Sequence, residues 1–248
     1  MYEDYAAAAE QVRPFVADTG RMLNNILAQG GSIMFEGAQG TMLDIDHGTY
    51  PFVTSSSATA GGAATGTGVG PTAIGTVISV TKAYVTRVGE GPLPSEIQGP
   101  DQERVRELGG EYGTVTGRGR RCAWLDLVAL RYAVRLNGMT SLALTKLDVL
   151  SSFAEIPVCV AYRLPDGSET RHFPAHQSDF HRAEPVLEVL PGWEQPLDAC
   201  ESMEDLPGPA RAYVAFIEQE LEVDVTLVGV GADRERVLLP YGLEAVTG

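Results

Sequence analysis

Apolar side chains recur at helical spacing in several segments of the chain. Residues 3–29 have apolar positions three or four apart, and Pro14 indicates that a second helix starts within them. Residues 124–137 predict the clearest helix, because one apolar stripe runs to the stop signal Asn137-Gly138. Further helices are predicted over residues 72–82, 101–108 and about 206–221.

Short apolar runs bounded by turn residues predict strands between these helices. The predicted strands are Ser32–Phe35, Ala83–Val88, Ser141–Leu144 and Val223–Val228. Residues 155–173 predict a hairpin, in which Ile156–Leu164 is followed by the turn Asp166-Gly167 and a second strand. Because helices and strands alternate, we expect an α/β fold.

The composition excludes several classes of protein. The 248 residues carry 33 acidic and 18 basic side chains, a net charge of −15, so we expect no binding to nucleic acid or to an anionic membrane surface. No apolar run reaches the roughly 18 residues of a membrane span, and the first residues lack a signal-peptide pattern. Cys122, Cys159 and Cys200 are far apart and are predicted to be buried apolar groups. A cytoplasmic location is expected.

The charge is distributed unevenly along the chain. Residues 1–148 have a net charge of −3, whereas residues 149–248 have a net charge of −12. Arg118, Arg120 and Arg121 lie together without an acidic neighbour. Such a cluster suits a phosphate or carboxylate, although a solvated loop has the same composition.

Glycine is concentrated in one part of the sequence. Eleven of the 28 glycines lie between Gly30 and Gly75, where a close backbone approach to a ligand is favoured. The alternative is a flexible linker. Because the segment also contains apolar and aromatic residues such as Leu43 and Phe52, we favour an ordered ligand loop.

The segment Thr145-Lys146-Leu147-Asp148 follows a predicted strand. A carboxylate there can accept hydrogen bonds from N1–H and the exocyclic amine of guanine, a donor pair that adenine lacks. An ordinary ion pair at the end of a strand is the alternative interpretation.

Other candidate motifs are weaker. Gly68–Ala73 fits a loose GxGxxA pattern but follows no predicted strand, and it is discarded as a dinucleotide site. Asp44, Asp46 and His47 either bind a metal or serve as acid and base, or they hold the backbone of their own loop. A metal hydrolase would also draw on nearby histidines, although Pro174 interrupts their spacing; these are His172, His176 and His181.

Five longer segments occur in an order and at a spacing that together resemble one family, adenylosuccinate synthetase. They are FEGAQGTMLDIDHGTYPFVTSSSATAGG (35–62), TKAYVTRVGEGPLPSE (81–96), GTVTGRGRR (113–121), WLD (124–126) and LTKLDVL (144–150). CVAYRLPDG and PGW continue the likeness downstream. The resemblance implies a mixed sheet with flanking helices, similar to the P-loop NTPase-like fold of that family without its N-terminal strands. We expect residues 1–248 to form a single incomplete domain of the family, with residues 149–248 completing the GTP site.

The resemblance also implies a reaction and its ligands. The family joins IMP and L-aspartate, using GTP and Mg²⁺, to form adenylosuccinate, GDP and phosphate in purine nucleotide (AMP) synthesis. The residues matching IMP contacts are Gln39, Thr54 and Arg118. The loop that closes on aspartate is matched by Thr114, Val115, Thr116, Gly117, Arg118, Gly119 and Arg120. The GTP-binding positions are matched by Arg120, Lys146, Leu147, Asp148, Gly229, Val230 and Gly231.

Some parts of the family pattern have no counterpart in this sequence. The phosphate-binding loop, the general base, the catalytic histidine and the magnesium contacts belong to the family's N-terminal part, so no catalytic residue or metal ligand is assigned. Gly119, Gly229 and Ala232 stand where the family often has Arg, Ser and Pro. The family implies a homodimer. We expect a fragment that is inactive alone, with a non-catalytic guanine-nucleotide-binding module as the alternative.

Overall fold

The computed structural model describes residues 1–113 and 117–242. Its helices are α1 (Tyr2–Val12), α2 (Thr19–Ala28), α3 (Ala60–Thr67), α4 (Pro100–Gly109), α5 (Leu127–Asn137), α6 (Gln177–Phe180) and α7 (Gly208–Leu221). Its strands are β1 (Ile78–Lys82), β2 (Tyr84–Arg87), β3 (Arg121–Trp124), β4 (Ser141–Thr145), β5 (Glu155–Arg163), β6 (Glu169–Thr170), β7 (Glu184–Pro191), β8 (Val225–Gly229) and β9 (Val237–Leu238).

The main sheet has the strand order β1-β4-β8-β9. Strand β4 pairs in parallel with both β1 and β8, and β9 is antiparallel to β8, so the sheet is mixed. Residues Ser141–Leu144 of β4 are all buried, as is typical of a central strand in a parallel sheet. The predicted α/β class is therefore confirmed.

Two smaller sheets are formed by segments that lie in sequence between strands of the main sheet. Strands β2 and β3 form an antiparallel pair, and β5 lies between β6 and β7. The predicted hairpin over residues 155–173 is confirmed, with Gly167 at φ +84° in its turn. Strand β7, which is not predicted from the sequence, pairs along nearly the whole of β5.

One buried cluster joins the main sheet to α7 and to the β2–β3 pair. Tyr213 of α7 is buried and its hydroxyl donates to the carbonyl oxygen of Ala83 at 2.7 Å. Cys122, Cys159 and Cys200 are buried free thiols, which confirms their prediction as apolar groups. Among the residues that the structure describes, no helix has the length and apolarity needed to cross a membrane.

Three expectations about local structure are wrong. The helix expected over residues 72–82 is a single turn at Pro71–Ala73 followed by β1, because the β-branched residues of Ile78–Lys82 favour a strand. The helix expected from residue 124 begins at Leu127, since Trp124 pairs within β3. Ser32–Phe35 is not a strand, because no strand of the described residues pairs with it.

Asp126 connects α5 to β5 through one carboxylate. Its Oδ1 accepts from the backbone N–H groups of Val128 and Ala129, each at 3.0 Å, and caps the helix. Its Oδ2 accepts from the Tyr162 hydroxyl at 2.5 Å. Burial raises the pKa of Asp126 to about 6 despite these hydrogen bonds.

We expect Asp126→Ala to lower the free energy of unfolding by about 2–4 kcal/mol. The substitution removes a helix cap and leaves the buried Tyr162 hydroxyl unpaired. Asp126→Asn keeps the capping oxygen, so its free energy of unfolding should fall less than that of Asp126→Ala. Urea unfolding of the three proteins measures the difference, and equal losses for Ala and Asn would contradict the capping role.

The same residue predicts a pH dependence of stability. The pKa of Asp126 is about 6 in the folded protein against 3.8 for an ordinary aspartate, so the folded state holds the proton more tightly. Its contribution to stability is therefore present at low pH and is lost as the pH rises through 6. Relative to Asp126→Asn, the unaltered protein should be more stable at pH 5 than at pH 7, by on the order of 1 kcal/mol. A difference that stays constant between these pH values would contradict the prediction.

Candidate functional site

The three parallel strands of the main sheet end at one edge. Lys82, the last residue of β1, pairs with Thr145, the last residue of β4. Leu144 of β4 pairs with Val228, so that β8 ends beside the same position. Ligands of open α/β sheets bind at the carboxyl ends of such strands. This edge, called the carboxyl edge below, is therefore where unpaired polar groups are expected to face a ligand.

A tight turn follows β4 at the carboxyl edge. Lys146 has a left-handed backbone conformation (φ +60°), and the buried Leu147 anchors the turn that follows it. Asp148 is half-buried, and burial raises its pKa above the ordinary value. Its Oδ1 is buried and has no hydrogen-bond partner among residues 1–113 and 117–242. The turn thus presents an unpaired carboxylate acceptor.

The end of β8 lies close against this turn. A Cβ atom at Gly229 would lie 3.2 Å from Cα of Thr145 and 3.6 Å from N of Lys146, which is tighter than usual packing. The next residue, Val230, is buried, and its N–H donates to the carbonyl oxygen of Arg236 at 2.9 Å. The structure therefore brings together the predicted GTP segments Lys146–Asp148 and Gly229–Gly231.

A cluster of charged side chains, called the Glu111 cluster here, joins this edge. The Glu111 side chain is fully buried. Its Oε1 accepts from Lys82 Nζ at 2.7 Å, from the Tyr84 hydroxyl at 2.6 Å and from Lys146 Nζ at 3.1 Å. Its Oε2 accepts from Arg120 Nη1 at 2.8 Å. Three cationic side chains thus share one carboxylate.

The surroundings keep Glu111 ionised. Burial alone would raise the pKa of its carboxyl, but hydrogen bonds from Lys82 and Tyr84 and the nearby positive charge lower it to about 2. Burial lowers the pKa of Lys82. With one negative and three positive groups, the cluster keeps an excess of positive charge beside the carboxyl edge. Such an excess favours an anionic ligand.

The predicted aspartate loop is attached to this cluster through Arg120. Thr114, Val115 and Thr116 lie outside the described residues. The residues on either side of them pair with each other. Gly113 N donates to the carbonyl oxygen of Arg118 at 2.9 Å, and Tyr112 and Gly119 form an isolated antiparallel β-bridge. Arg120 Nε is buried without a hydrogen-bond partner in the described part of the chain, so one donor of this guanidinium is available.

The third arginine of the sequence cluster has a different environment. Arg121 lies in β3, where its guanidinium forms an ion pair with Glu96 and donates to the carbonyl oxygen of Gly91 at 2.8 Å. It therefore holds the β2–β3 region together. Arg118 and Arg120 remain the candidates for contact with a substrate anion.

The glycine-rich segment is an ordered loop. The carboxylate of Asp44 is buried and accepts from the backbone N–H groups of Asp46, His47, Ala58 and Thr59 at 2.7 to 3.2 Å. Although burial opposes ionisation, these hydrogen bonds lower the pKa of Asp44. Of the two interpretations of Asp44, the structure supports the one in which it holds its own loop.

Arg87 attaches this loop to β2. Its buried guanidinium donates to Thr49 Oγ1 at 2.9 Å, to the carbonyl oxygen of Phe52 at 2.8 Å and to that of Glu90 at 2.9 Å. On the other side, Asn137 of α5 accepts from Ala60 N at 2.8 Å. Segments far apart in sequence therefore fix the loop, which an independent linker would not require.

Two of the three predicted IMP contacts, Gln39 and Thr54, belong to the glycine-rich segment. Gln39 is exposed and has a positive φ of 64°. Thr54 donates its N–H to Leu43 O at 2.8 Å, and its hydroxyl lies 3.2 Å from Ser56 Oγ. No bound ligand tests their role, so the assignment of Gln39, Thr54 and Arg118 stays a prediction.

The structure gives no support to a metal hydrolase. His172, His176 and His181 are exposed, and the ring of His181 packs at a tilt of 37° beside Phe52, with centroids 5.7 Å apart. In residues 1–113 and 117–242, no group of three or more His, Cys, Asp or Glu side chains is arranged to hold a metal ion.

Glu111 and Arg87 are not predicted by any motif. One signal points to Glu111, because the whole chain contains only two lysines and each needs a counter-ion when it is partly buried. Nothing comparable identifies Arg87, because its partners are mostly backbone carbonyl groups whose positions depend on the folded loop.

Comparison with known proteins identifies the family. The family profile described as adenylosuccinate synthetase matches residues 1–238. The chain belongs to the adenylosuccinate synthetase family.

Curated members of the adenylosuccinate synthetase family are similar over most of this chain. The adenylosuccinate synthetase of Acidothermus cellulolyticus is 54% identical over 230 residues, which are 93% of this chain and 54% of that protein. The one from Sorangium cellulosum is 54% identical over 239 residues, or 96% of this chain and 55% of that protein. The chain thus spans about half the length of the curated relatives it matches.

Two solved structures are similar to this chain in fold. The fully ligated adenylosuccinate synthetase from Plasmodium falciparum aligns with a TM-score of 0.91 and 36% identity, covering 96% of this chain and 57% of that one. A succinoaminodeoxyadenylate synthetase of cyanophage S-2L, bound to dGMP and dATP, aligns with a TM-score of 0.55 and 19% identity over 92% of this chain and 52% of that one. The second likeness concerns the fold alone. The resemblance stated from the sequence motifs is confirmed.

We expect Arg87→Ala to loosen the loop that carries Thr54. The change removes three donors to the loop and its neighbours, at a cost of about 1–3 kcal/mol. Limited proteolysis followed by mass spectrometry should show faster cleavage within residues 44–59. Arg87→Lys, which keeps the charge but not the fork of donors, should be cleaved at an intermediate rate. Cleavage at the unaltered rate in Arg87→Ala would contradict the anchoring role.

Proposed function

We propose that this chain forms the guanine-nucleotide, IMP and aspartate-binding part of an adenylosuccinate synthetase. The proposed reaction is the ligation of IMP and L-aspartate, driven by conversion of GTP to GDP and phosphate. The observation that carries the proposal is the buried, unpaired Oδ1 of Asp148 at the carboxyl edge. An acceptor that is withdrawn from water without a partner is costly unless a ligand supplies the donor.

Guanine fits this acceptor better than adenine does. Its N1–H and exocyclic N2–H₂ groups lie side by side and can both donate to one carboxylate. At the matching edge adenine presents N1, an acceptor, which would face the negative charge. At Gly229 the absence of a side chain lets the end of β8 pack closely against Thr145 and Lys146, next to Asp148. Asp148 is therefore proposed to select GTP over ATP.

The positive charge at the same edge suits the remainder of the nucleotide. The Glu111 cluster holds Lys82, Lys146 and Arg120 around one carboxylate, and Arg120 keeps a buried Nε donor without a described partner. Guanidinium donors are well suited to phosphate and carboxylate oxygens. We propose that Arg120 contacts GTP, and that Arg118 contacts both IMP and the aspartate substrate as the loop from residue 114 to residue 120 closes.

The complete reaction requires more than these residues offer. The described residues form no metal-binding group, and the chain corresponds to about half of its curated relatives. Phosphoryl transfer depends on a phosphate cradle and a metal ion. We therefore propose that these residues bind the substrates, while magnesium chemistry depends on groups outside them. By resemblance, the complete enzyme is proposed to be a homodimer.

Asp148→Asn should abolish the preference for guanine nucleotides. Replacing one carboxylate oxygen by an NH₂ group places a donor against a guanine donor, so we expect GDP to bind at least about tenfold more weakly and ADP to change little. Isothermal titration of the 248-residue chain with GDP and ADP measures both. Asp166→Asn, in an exposed turn, is the matched control. Equal affinities of the unaltered chain for GDP and ADP would contradict the proposed function.

The alternative is a guanine-nucleotide-binding module without catalysis. The same Asp148 acceptor supports it, so nucleotide titration alone does not separate the two. We expect the 248-residue chain, given IMP, aspartate, GTP and Mg²⁺, to form no adenylosuccinate, because the family's phosphate loop and general base have no counterpart in it. Absorbance and mass spectrometry of the products test this expectation. Formation of adenylosuccinate would exclude both the inactive fragment and the non-catalytic module.

A further inference from the structure

Both lysines of the protein bind the same carboxylate. The 248 residues include only Lys82 and Lys146, which lie 64 positions apart, yet each ammonium group contacts Oε1 of Glu111. Lys82 ends β1 and Lys146 follows β4, two neighbouring parallel strands. Glu111 therefore meets the carboxyl edge where the proposed nucleotide segment begins.

The burial of Glu111 makes these contacts necessary. A fully buried carboxylate is strongly destabilising unless charged and hydrogen-bonding groups compensate it. Tyr84 and Arg120 complete the set, so that four donors surround the two oxygens. Conversely, removing the carboxylate would leave three cations close together without an anion, and their mutual repulsion would move the longer, more exposed side chains away.

The backbone around Glu111 fixes where its carboxylate points. Its N–H donates to Arg106 O at 2.8 Å, at the end of α4, and its carbonyl oxygen accepts from Arg120 N at 2.8 Å. Two residues before Glu111, Gly109 leaves space for the Tyr84 hydroxyl to reach the carboxylate. A Cβ atom at Gly109 would lie 2.2 Å from the Tyr84 hydroxyl oxygen. The same residue thus contacts the proposed substrate loop through Arg120 and the proposed nucleotide turn through Lys146.

We propose that Glu111 is a positioning residue of the nucleotide site, which holds Lys146 against the carboxyl edge and links it to Arg120 of the substrate loop. The inference rests on the proposed function. Glu111 itself is fully buried and surrounded by these donors, so it acts through the two cations. The ammonium group of Lys146 is bound both to Glu111 and to the carbonyl oxygen of Gly109. These two contacts fix the position of the Lys146 side chain, which lies two residues before Asp148 in the sequence.

The first test needs no nucleotide. Brief acetylation with acetic anhydride, read by mass spectrometry, reports Lys82 and Lys146 separately because the chain has no other lysine. In Glu111→Gln the two amines lose their counter-ion, so they repel each other and their exposure rises. We expect Lys146 to react at least threefold faster than in the unaltered chain. Glu96→Gln, which breaks the Arg121 ion pair, is the matched control and should leave the rate unchanged.

The second test measures GDP binding in the same proteins. Glu111→Gln should bind GDP at least tenfold more weakly, whereas Glu96→Gln should bind as the unaltered chain does. If Glu111 acts through Lys146, the double variant Glu111→Gln with Lys146→Met should lose about as much GDP affinity as Lys146→Met alone. The effects of the two substitutions would then not add. A general loss of packing would give additive effects. Glu111→Asp, which restores the charge on a shorter side chain, should recover part of the affinity.

The outcomes separate the two proposals. Equal GDP affinity, or equal Lys146 acetylation, in Glu111→Gln and the unaltered chain overturns the positioning role and leaves the proposed function intact. An unaltered chain that does not bind GDP overturns the proposed function and this inference with it. If circular dichroism shows that Glu111→Gln does not fold, Glu111→Asp decides. In the variant that decides, faster Lys146 acetylation together with weaker GDP binding than in the unaltered chain supports the proposal, and an unaltered value of either one overturns it.

Discussion

The parallel pairing of β1, β4 and β8 is the constraint on which the candidate site depends. Parallel strands must end at a common edge, so pairing Lys82 with Thr145 and Leu144 with Val228 brings three distant segments together. The register also brings β8 so close to the following turn that a side chain at Gly229 would crowd Thr145. Core packing of β4 and the geometry of the site are therefore consequences of the same hydrogen-bonded ladder.

The carboxyl edge and the glycine-rich loop are held in different ways. At the carboxyl edge, ionised side chains meet in a buried cluster, so their positions depend on one another and on Glu111. In the glycine-rich loop, the buried carboxylate of Asp44 and the guanidinium of Arg87 bind mainly backbone groups. Small residues can line that loop because the side chains of Asp44 and Arg87 supply hydrogen-bonding partners that its backbone needs. The loop thereby keeps a defined shape.

What the sequence predicts depends on whether the signal is local. Helix α4, strand β4 and the β5–β6 hairpin follow from periodicity and turn residues, and the family follows from long motifs. The structure of residues 72–82 is not predicted correctly. Their apolar spacing is compatible with a helix, whereas their β-branched residues favour a strand, and the strand partner β4 lies about 60 residues further along the chain. Similarly, the Lys146–Asp148 segment can be identified in isolation. The role of Arg121 cannot, because its partner Glu96 comes from a neighbouring turn.

The net charge of −15 and the proposed site for anionic ligands are compatible because electrostatic recognition is local. Beyond about 8 Å at physiological ionic strength, the charges of the acidic residues in 149–248 are largely screened. Within the Glu111 cluster, three cations surround one anion in a partly buried setting where screening is weak. A phosphate arriving at this edge therefore experiences the nearby excess of positive charge more strongly than the distant carboxylates. The overall acidity argues against nucleic-acid binding, whereas the sheet edge determines which small anions can bind.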